Sequence, residues 1–183
     1  FYTISLISLA LLGLFSDRKI LVSAKKRFLF QFTIVFLSVI FLDLEILSSK
    51  LTLFDNLLNI LVFNLLFTSF CLLVLINGSN FIDGLNGLLL INMTYVFFIL
   101  FKLGLLSKLP FDKNLITYLI IFLVVLIILN LSNILMLGDT GAYLLSFFIG
   151  YLIITCHNLN PYISPYFFIT LIWYPCYENL FSI

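Results

Sequence analysis

Residues 115–131 read LITYLIIFLVVLIILNL, a run with no formal charge. A helix on the surface of a soluble protein shows an apolar stripe and an opposing polar face. This run is apolar around its whole circumference, as a helix surrounded by lipid or by other apolar helices must be. Working outward, strongly apolar runs occupy residues 1–15, 28–42, 57–76, 88–106, 142–156 and 166–181, with Lys102 and Glu178 the formal charges within them. A bilayer span needs about 20 mostly apolar residues, so the two shortest complete runs, 28–42 and 142–156, are predicted to extend into their flanks. The fold class that follows is all-α: a polytopic integral membrane helical bundle with about seven transmembrane helices, forming a single transmembrane domain over residues 1–183.

Composition agrees. Of 183 residues, 63% are hydrophobic, 22 are Phe and only 9% are charged, against about 25% charged in ordinary soluble domains. The mean hydropathy is +1.26. So few charges cannot cover a soluble domain, which excludes a soluble globular protein, a disordered chain and a nucleic-acid binder. The net charge of +1 favours no class of partner, and a homodimer is left open. Cys71, Cys156 and Cys176 have no metal or disulfide spacing and read as small apolar packing residues. The chain starts at Phe1 inside an apolar run and stops at Ile183 without a polar tail. It reads as a fragment of a longer polytopic protein, truncated at both ends.

Helix parity sorts the connections. Residues 16–27, 77–87 and 132–141 fall on one membrane face, together with the C-terminal end. Residues 43–56, 107–114 and 157–165 fall on the other. The first face carries Arg18, Lys19, Lys25, Lys26 and Arg27. The second has Lys50, Lys108 and Lys113 diluted by Asp43, Glu45, Asp55 and Asp112. The positive-inside rule puts the first face in the cytoplasm. Every polar segment that resembles chemistry lands there, whereas His157, the single histidine, lands opposite and reads as an interfacial residue.

Four segments carry the chemistry. Asn77–Gly87 holds Asn77, Asn80, Asp83 and Asn86, with Asn80 and Asp83 on one face if the segment is helical. A structural alternative is that Asp83 or Asn86 caps the following helix. Asp139, in Gly138-Asp139-Thr140-Gly141, sits where a membrane helix starts; it is either an N-cap or a ligand for a divalent cation beside amides that face a phosphate. Asp17, in Ser16-Asp17-Arg18-Lys19, stands among cations that either anchor the chain at anionic lipid or gather phosphorylated substrates. Glu178 follows Trp173, Tyr174 and Pro175, an interface belt with a kink, and its cost depends on its depth.

Taken together, these segments resemble the polyprenyl-phosphate N-acetylhexosamine-1-phosphate transferases, glycosyltransferase family 4. That family includes the phospho-MurNAc-pentapeptide translocase and the undecaprenyl-phosphate GlcNAc-1-phosphate transferases. Asn77–Leu88 looks like its Asn-x-x-Asn-x-x-Asp-Gly-x-Asx-Gly-Leu segment. Residues 137–150, LGDTGAYLLSFFIG, are similar to its Gly-Asp-[Ser/Thr]-Gly-Ser helix start, with Ala142 in place of Ser. Residues 13–31 resemble its Asp-Asp loop and basic run, with Ser16 in place of the first Asp. Residues 174–183 look like its Pro-x-x-Glu segment. A His-containing cytoplasmic loop of the family would lie beyond Ile183, so the fragment alone is expected to be inactive.

The resemblance implies transfer of a sugar-1-phosphate from a UDP-N-acetylhexosamine to undecaprenyl phosphate, with release of UMP. The reaction would initiate a cell-envelope polysaccharide at the cytoplasmic face of a bacterial inner membrane. It implies Mg²⁺, with Mn²⁺ as a substitute, held by Asp139 and Asn80. Asp17, Asp83 and Asp139 are the implied catalytic residues. Asn77, Asn80, Asn86, Arg18, Lys19, Arg27 and Glu178 are the implied substrate-binding residues. The alternatives are a secondary transporter or channel, expected to carry carboxylates near the midplane, and an inactive membrane scaffold.

Overall fold

The computed structural model describes residues 1–109 and 113–181; Asp112, Ser182 and Ile183 lie outside the described residues. Among the described residues every regular element is helical. They are α1 (Tyr2–Asp17), α2 (Ala24–Phe41), α3 (Thr52–Leu58), α4 (Leu61–Ile82), α5 (Leu88–Lys102), α6 (Lys113–Leu131), α7 (Gly138–Leu159), α8 (Pro165–Leu171) and α9 (Trp173–Phe181), with a short 3-10 turn at Leu105–Lys108.

Among the described residues, three helices are long and apolar enough to cross a bilayer: Leu61–Ile82, Asn114–Leu131 and Gly138–Leu159. The expectation of about seven is therefore met only in part. Helices α1 and α5 are apolar but shorter, at 16 and 15 residues. Helix α2 has 18 residues, but Lys25, Lys26 and Arg27 crowd its start. The predicted seventh span, 166–181, is two short helices with a break at Ile172. Pro175 accounts for the break: it has no N–H for the Leu171 carbonyl, and its ring would clash there. The chain restarts as α9 with Pro175 inside the first turn, where no N–H is required.

A second correction concerns residues 77–87, read as a connection. Helix α4 continues to Ile82, so Asn77 and Asn80 ride on its final turns and only residues 83–87 form the turn. Nor does any side chain cap α5: Gly87, with φ +81°, occupies its N-cap position, which removes the capping alternative for Asp83 and Asn86.

Helix α1 lies along α7, α4 touches α2, α7 and α9, and α5 bridges α6 and α7. Helix α7 is the central one, with 67% of its span buried inside the bundle, against 17% for α6. The core is built from Leu72, Ile76, Met93, Phe97 and Phe147. Lipid tails are as apolar as Leu, so association here depends on close packing and internal hydrogen bonds more than on hydrophobic burial. The contact of α4 with α9 shows the first. A Cβ on Gly78 would lie 1.8 Å from the Pro175 carbonyl oxygen and 3.2 Å from Asn179 Cβ.

Hydrogen bonds organise the end remote from the carboxylates. Buried Asn64 donates to the Ile46 and Leu58 carbonyls and accepts the Ile46 N–H, all at 3.0 Å. Asn158 donates to the Glu45 carbonyl at 2.6 Å, and His157 Nε2 stands 2.8 Å from the Ser48 carbonyl. His157 thus belongs to the end away from Asp17 and Asp139, as parity predicts.

The α4–α9 contact yields a test. Gly78→Ala forces the two helices apart and should cost about 1–3 kcal/mol, as core overpacking does. Unfolding of the purified protein in mixed detergent–SDS micelles measures it; an unchanged midpoint would contradict this packing.

Candidate functional site

The site is built at the N-terminus of α7. The first backbone N–H groups of a helix have no partner within it, and the N-cap residue of α7, Leu137, offers no side-chain acceptor. The last residue of α1 supplies one. Asp17 Oδ1 accepts the N–H of Asp139 at 2.9 Å. Its Oδ2 accepts the N–H of Thr140 at 3.1 Å and the Thr140 hydroxyl at 2.7 Å. A carboxylate there is doubly favoured, by the hydrogen bonds and by the positive end of the helix dipole. The approach is close because Gly13 has no side chain: a Cβ on it would sit 2.4 Å from Thr140 Cα.

With the cap supplied by Asp17, the Asp139 side chain is left for other partners, and the reading of Asp139 as an N-cap is corrected. Its Oδ2 accepts hydrogen bonds from the Ser16 hydroxyl, from Arg27 Nη1 at 2.9 Å and from Tyr143 Oη at 3.2 Å. Arg27 Nη1 also donates to Ser16 Oγ at 2.6 Å. The Arg27–Asp139 ion pair is only partly shielded, with side chains 30% and 18% exposed.

Asp83, just past the end of α4, is half-buried. Burial pushes its carboxyl up from 3.8 to about 6, with the charges of Asp139 and Asp17 adding to the rise and the Gly138 backbone N–H opposing it. Asp17, Asp83 and Asp139 therefore share one electrostatic environment. The turn after Asp83 is tied to the loop before α7. Asn86 Nδ2 donates to Asn133 Oδ1, and buried Asn130 accepts the Gly87 N–H while donating to the Leu135 carbonyl at 2.8 Å.

The other candidates are less tightly gathered. Asn77 donates to the Leu73 carbonyl of its own helix at 2.9 Å. Asn80 is half-buried with no side-chain hydrogen bond among the described residues. Arg18 and Lys19 are exposed just beyond Asp17. Glu178 is half-buried on α9, the helix that rests against α4 at Gly78. Sequence reading missed Tyr143 and Asn130. Tyr143 follows Asp139 by four residues, one helical turn, and Asn130 is a lone amide near the end of an apolar run; both signals were present.

Among the described residues, no group of three His, Cys, Asp or Glu is arranged to hold a metal ion. Mg²⁺ asks less: one or two carboxylates, with phosphates and water completing the shell. The donor set fits that demand. Asp139 is such a carboxylate, and its Oδ1 has no donor among the described residues.

Two outcomes follow. Asp17→Ala removes the cap of α7 and should lower stability by about 0.5–2 kcal/mol, read from the same SDS unfolding. For Asp83 the folded-state pKa lies above the unfolded one, so the folded chain holds the extra proton and stability falls as pH rises from about 4 to 6. Asp83→Asn should then raise the melting temperature above pH 6 and lose that advantage below about pH 4. A pH-independent difference would contradict the assignment.

Comparison with protein families finds Glycosyl transferase family 4 matching residues 1–157. No curated protein and no solved structure matches the chain.

Proposed function

We propose that this chain, which belongs to glycosyl transferase family 4, transfers a sugar-1-phosphate from a UDP-N-acetylhexosamine to undecaprenyl phosphate and releases UMP. The reaction would take place at the cytoplasmic face of a bacterial inner membrane and initiate a cell-envelope polysaccharide. The observation that carries the reading is the meeting of Asp17, Asp83, Asp139 and Arg27 at one end of an apolar bundle, around the start of α7. That geometry suits a lipid substrate whose tail stays in the bilayer while its phosphate meets a water-soluble donor.

In the reaction an oxygen of the lipid phosphate attacks the β-phosphorus of the nucleotide sugar. A new P–O–P bridge forms as the bond from the β-phosphorus to the α,β-bridging oxygen breaks, and that oxygen leaves with UMP. Both reactants are anionic, so catalysis rests on positioning and charge neutralisation. Asp139, with Asn80 as a second oxygen donor, would hold Mg²⁺ or Mn²⁺. When bound, the ion offsets phosphate charge.

Arg27, beside Asp139, adds fixed positive charge, and exposed Arg18 and Lys19 draw phosphates to the rim. Asp17 has both oxygens engaged by α7, so it acts on the acceptor phosphate by holding that helix end. Little base is needed, since a phosphate monoester with a second pKa near 6 is mostly dianionic at pH 7. Asp83, Asn77 and Asn86 position the nucleotide sugar, and Glu178 lies at the neighbouring helix to contact it.

Exchange of labelled UMP into the UDP-sugar, in membranes carrying the full-length protein, tests the reading. Asp139→Ala should slow exchange at least about hundredfold. A chelator should stop exchange in the wild type, and Mg²⁺ or Mn²⁺ should restore it. Equal exchange in wild type and variant would overturn the role of Asp139.

A further inference from the structure

The two oxygens of Asp139 are treated differently. The Ser16 hydroxyl, Arg27 Nη1 and Tyr143 Oη all converge on Oδ2, while among the described residues no donor meets Oδ1. A carboxylate on a helix can rotate about its side-chain bonds, and one donor would restrain it weakly. Three donors from α1, α2 and α7 on the same oxygen fix both its position and its plane.

We propose that Tyr143 and Ser16 are positioning residues that hold Asp139 by Oδ2, so that Oδ1 is the oxygen presented to a divalent cation. The proposal rests on the reading of Asp139 as a cation ligand and adds which atom binds and which residues aim it. Tyr143 suits the task because it is 2% exposed. Its ring is fixed by packing, and its hydroxyl reaches Asp139 from one helical turn away. Ser16 suits it for a different reason. It stands where the family pattern has a carboxylate, and a carboxylate there would face Oδ2 with no proton to give. A hydroxyl donates to Oδ2 while accepting from Arg27, which lets the cation and the anion sit side by side. Ser16 in this chain is thus a donor to the ligand rather than a lost ligand. Partners that orient a metal ligand typically change metal affinity 10–100-fold when removed.

The experiment uses the full-length protein in lipid nanodiscs and Mn²⁺ alone as the probe, with bound and free ion distinguished by electron paramagnetic resonance. Tyr143→Phe deletes one hydroxyl and keeps the ring, so the melting temperature should hold while Mn²⁺ binds about tenfold more weakly. Ser16→Ala should weaken it in the same direction, which keeps the test available if either variant fails to fold. In UMP exchange, the loss should be recovered at high Mg²⁺, a response that a purely structural defect would not give. Asp139→Asn is the reference. If it abolishes Mn²⁺ binding while folded Tyr143→Phe or Ser16→Ala binds as tightly as wild type, the positioning proposal is wrong. If Asp139→Asn itself binds Mn²⁺ normally, the cation reading of the site fails and the proposal falls with it.

Discussion

The contact on which the arrangement depends is the carboxylate of Asp17 seated on the N-terminus of α7. A helix that starts at the edge of a membrane exposes backbone N–H groups, and each one left without an acceptor costs about 1–3 kcal/mol. Most helices solve this with their own N-cap side chain. Here Leu137 cannot, so the acceptor comes from the end of α1, more than a hundred residues earlier. The solution has a steric condition, met at Gly13, where α1 touches the α7 backbone. It also has a chemical consequence. Because the cap is supplied from outside, the carboxylate of Asp139 is released for Ser16, Arg27 and Tyr143.

The start of α7 brings three acids within range of one another, which a bilayer edge tolerates only with compensation. Arg27 offsets Asp139 directly, and the α7 dipole and two N–H groups offset Asp17. Asp83 receives less, with burial and two neighbouring charges raising its pKa against a single backbone N–H. Hydrogen bonds through Asn130, Asn133 and Asn86 keep that carboxyl near α7 by joining the two turns.

Much of this was legible in the chain. Long uncharged runs marked the membrane helices, and parity put Asp17, Asp83 and Asp139 at one end and His157 at the other. Other features misled. Residues 166–181 are apolar enough to read as a span, yet Pro175 divides them, because a missing N–H outweighs hydropathy at one position. Asn77 and Asn80 read as loop because they are polar, but their backbone continues α4. Asp139, an acid at a helix start, left a cap and a cation ligand equally open; the true cap is non-local, and local spacing carries no trace of it.

Sequence by itself determined the class of protein, the solvent its helices face and the end of the bundle where its carboxylates gather. Hydropathy and parity are sums over local positions, and they survive without any knowledge of packing. Only the tertiary structure decided how those carboxylates divide their work: Asp17 on the backbone of α7, Asp139 held by one oxygen, Asp83 half-buried beside both. These assignments turn on contacts between residues up to 123 positions apart. Their geometry is set by how closely helices approach at sites such as Gly13, and distances of that order exist only once the helices have packed.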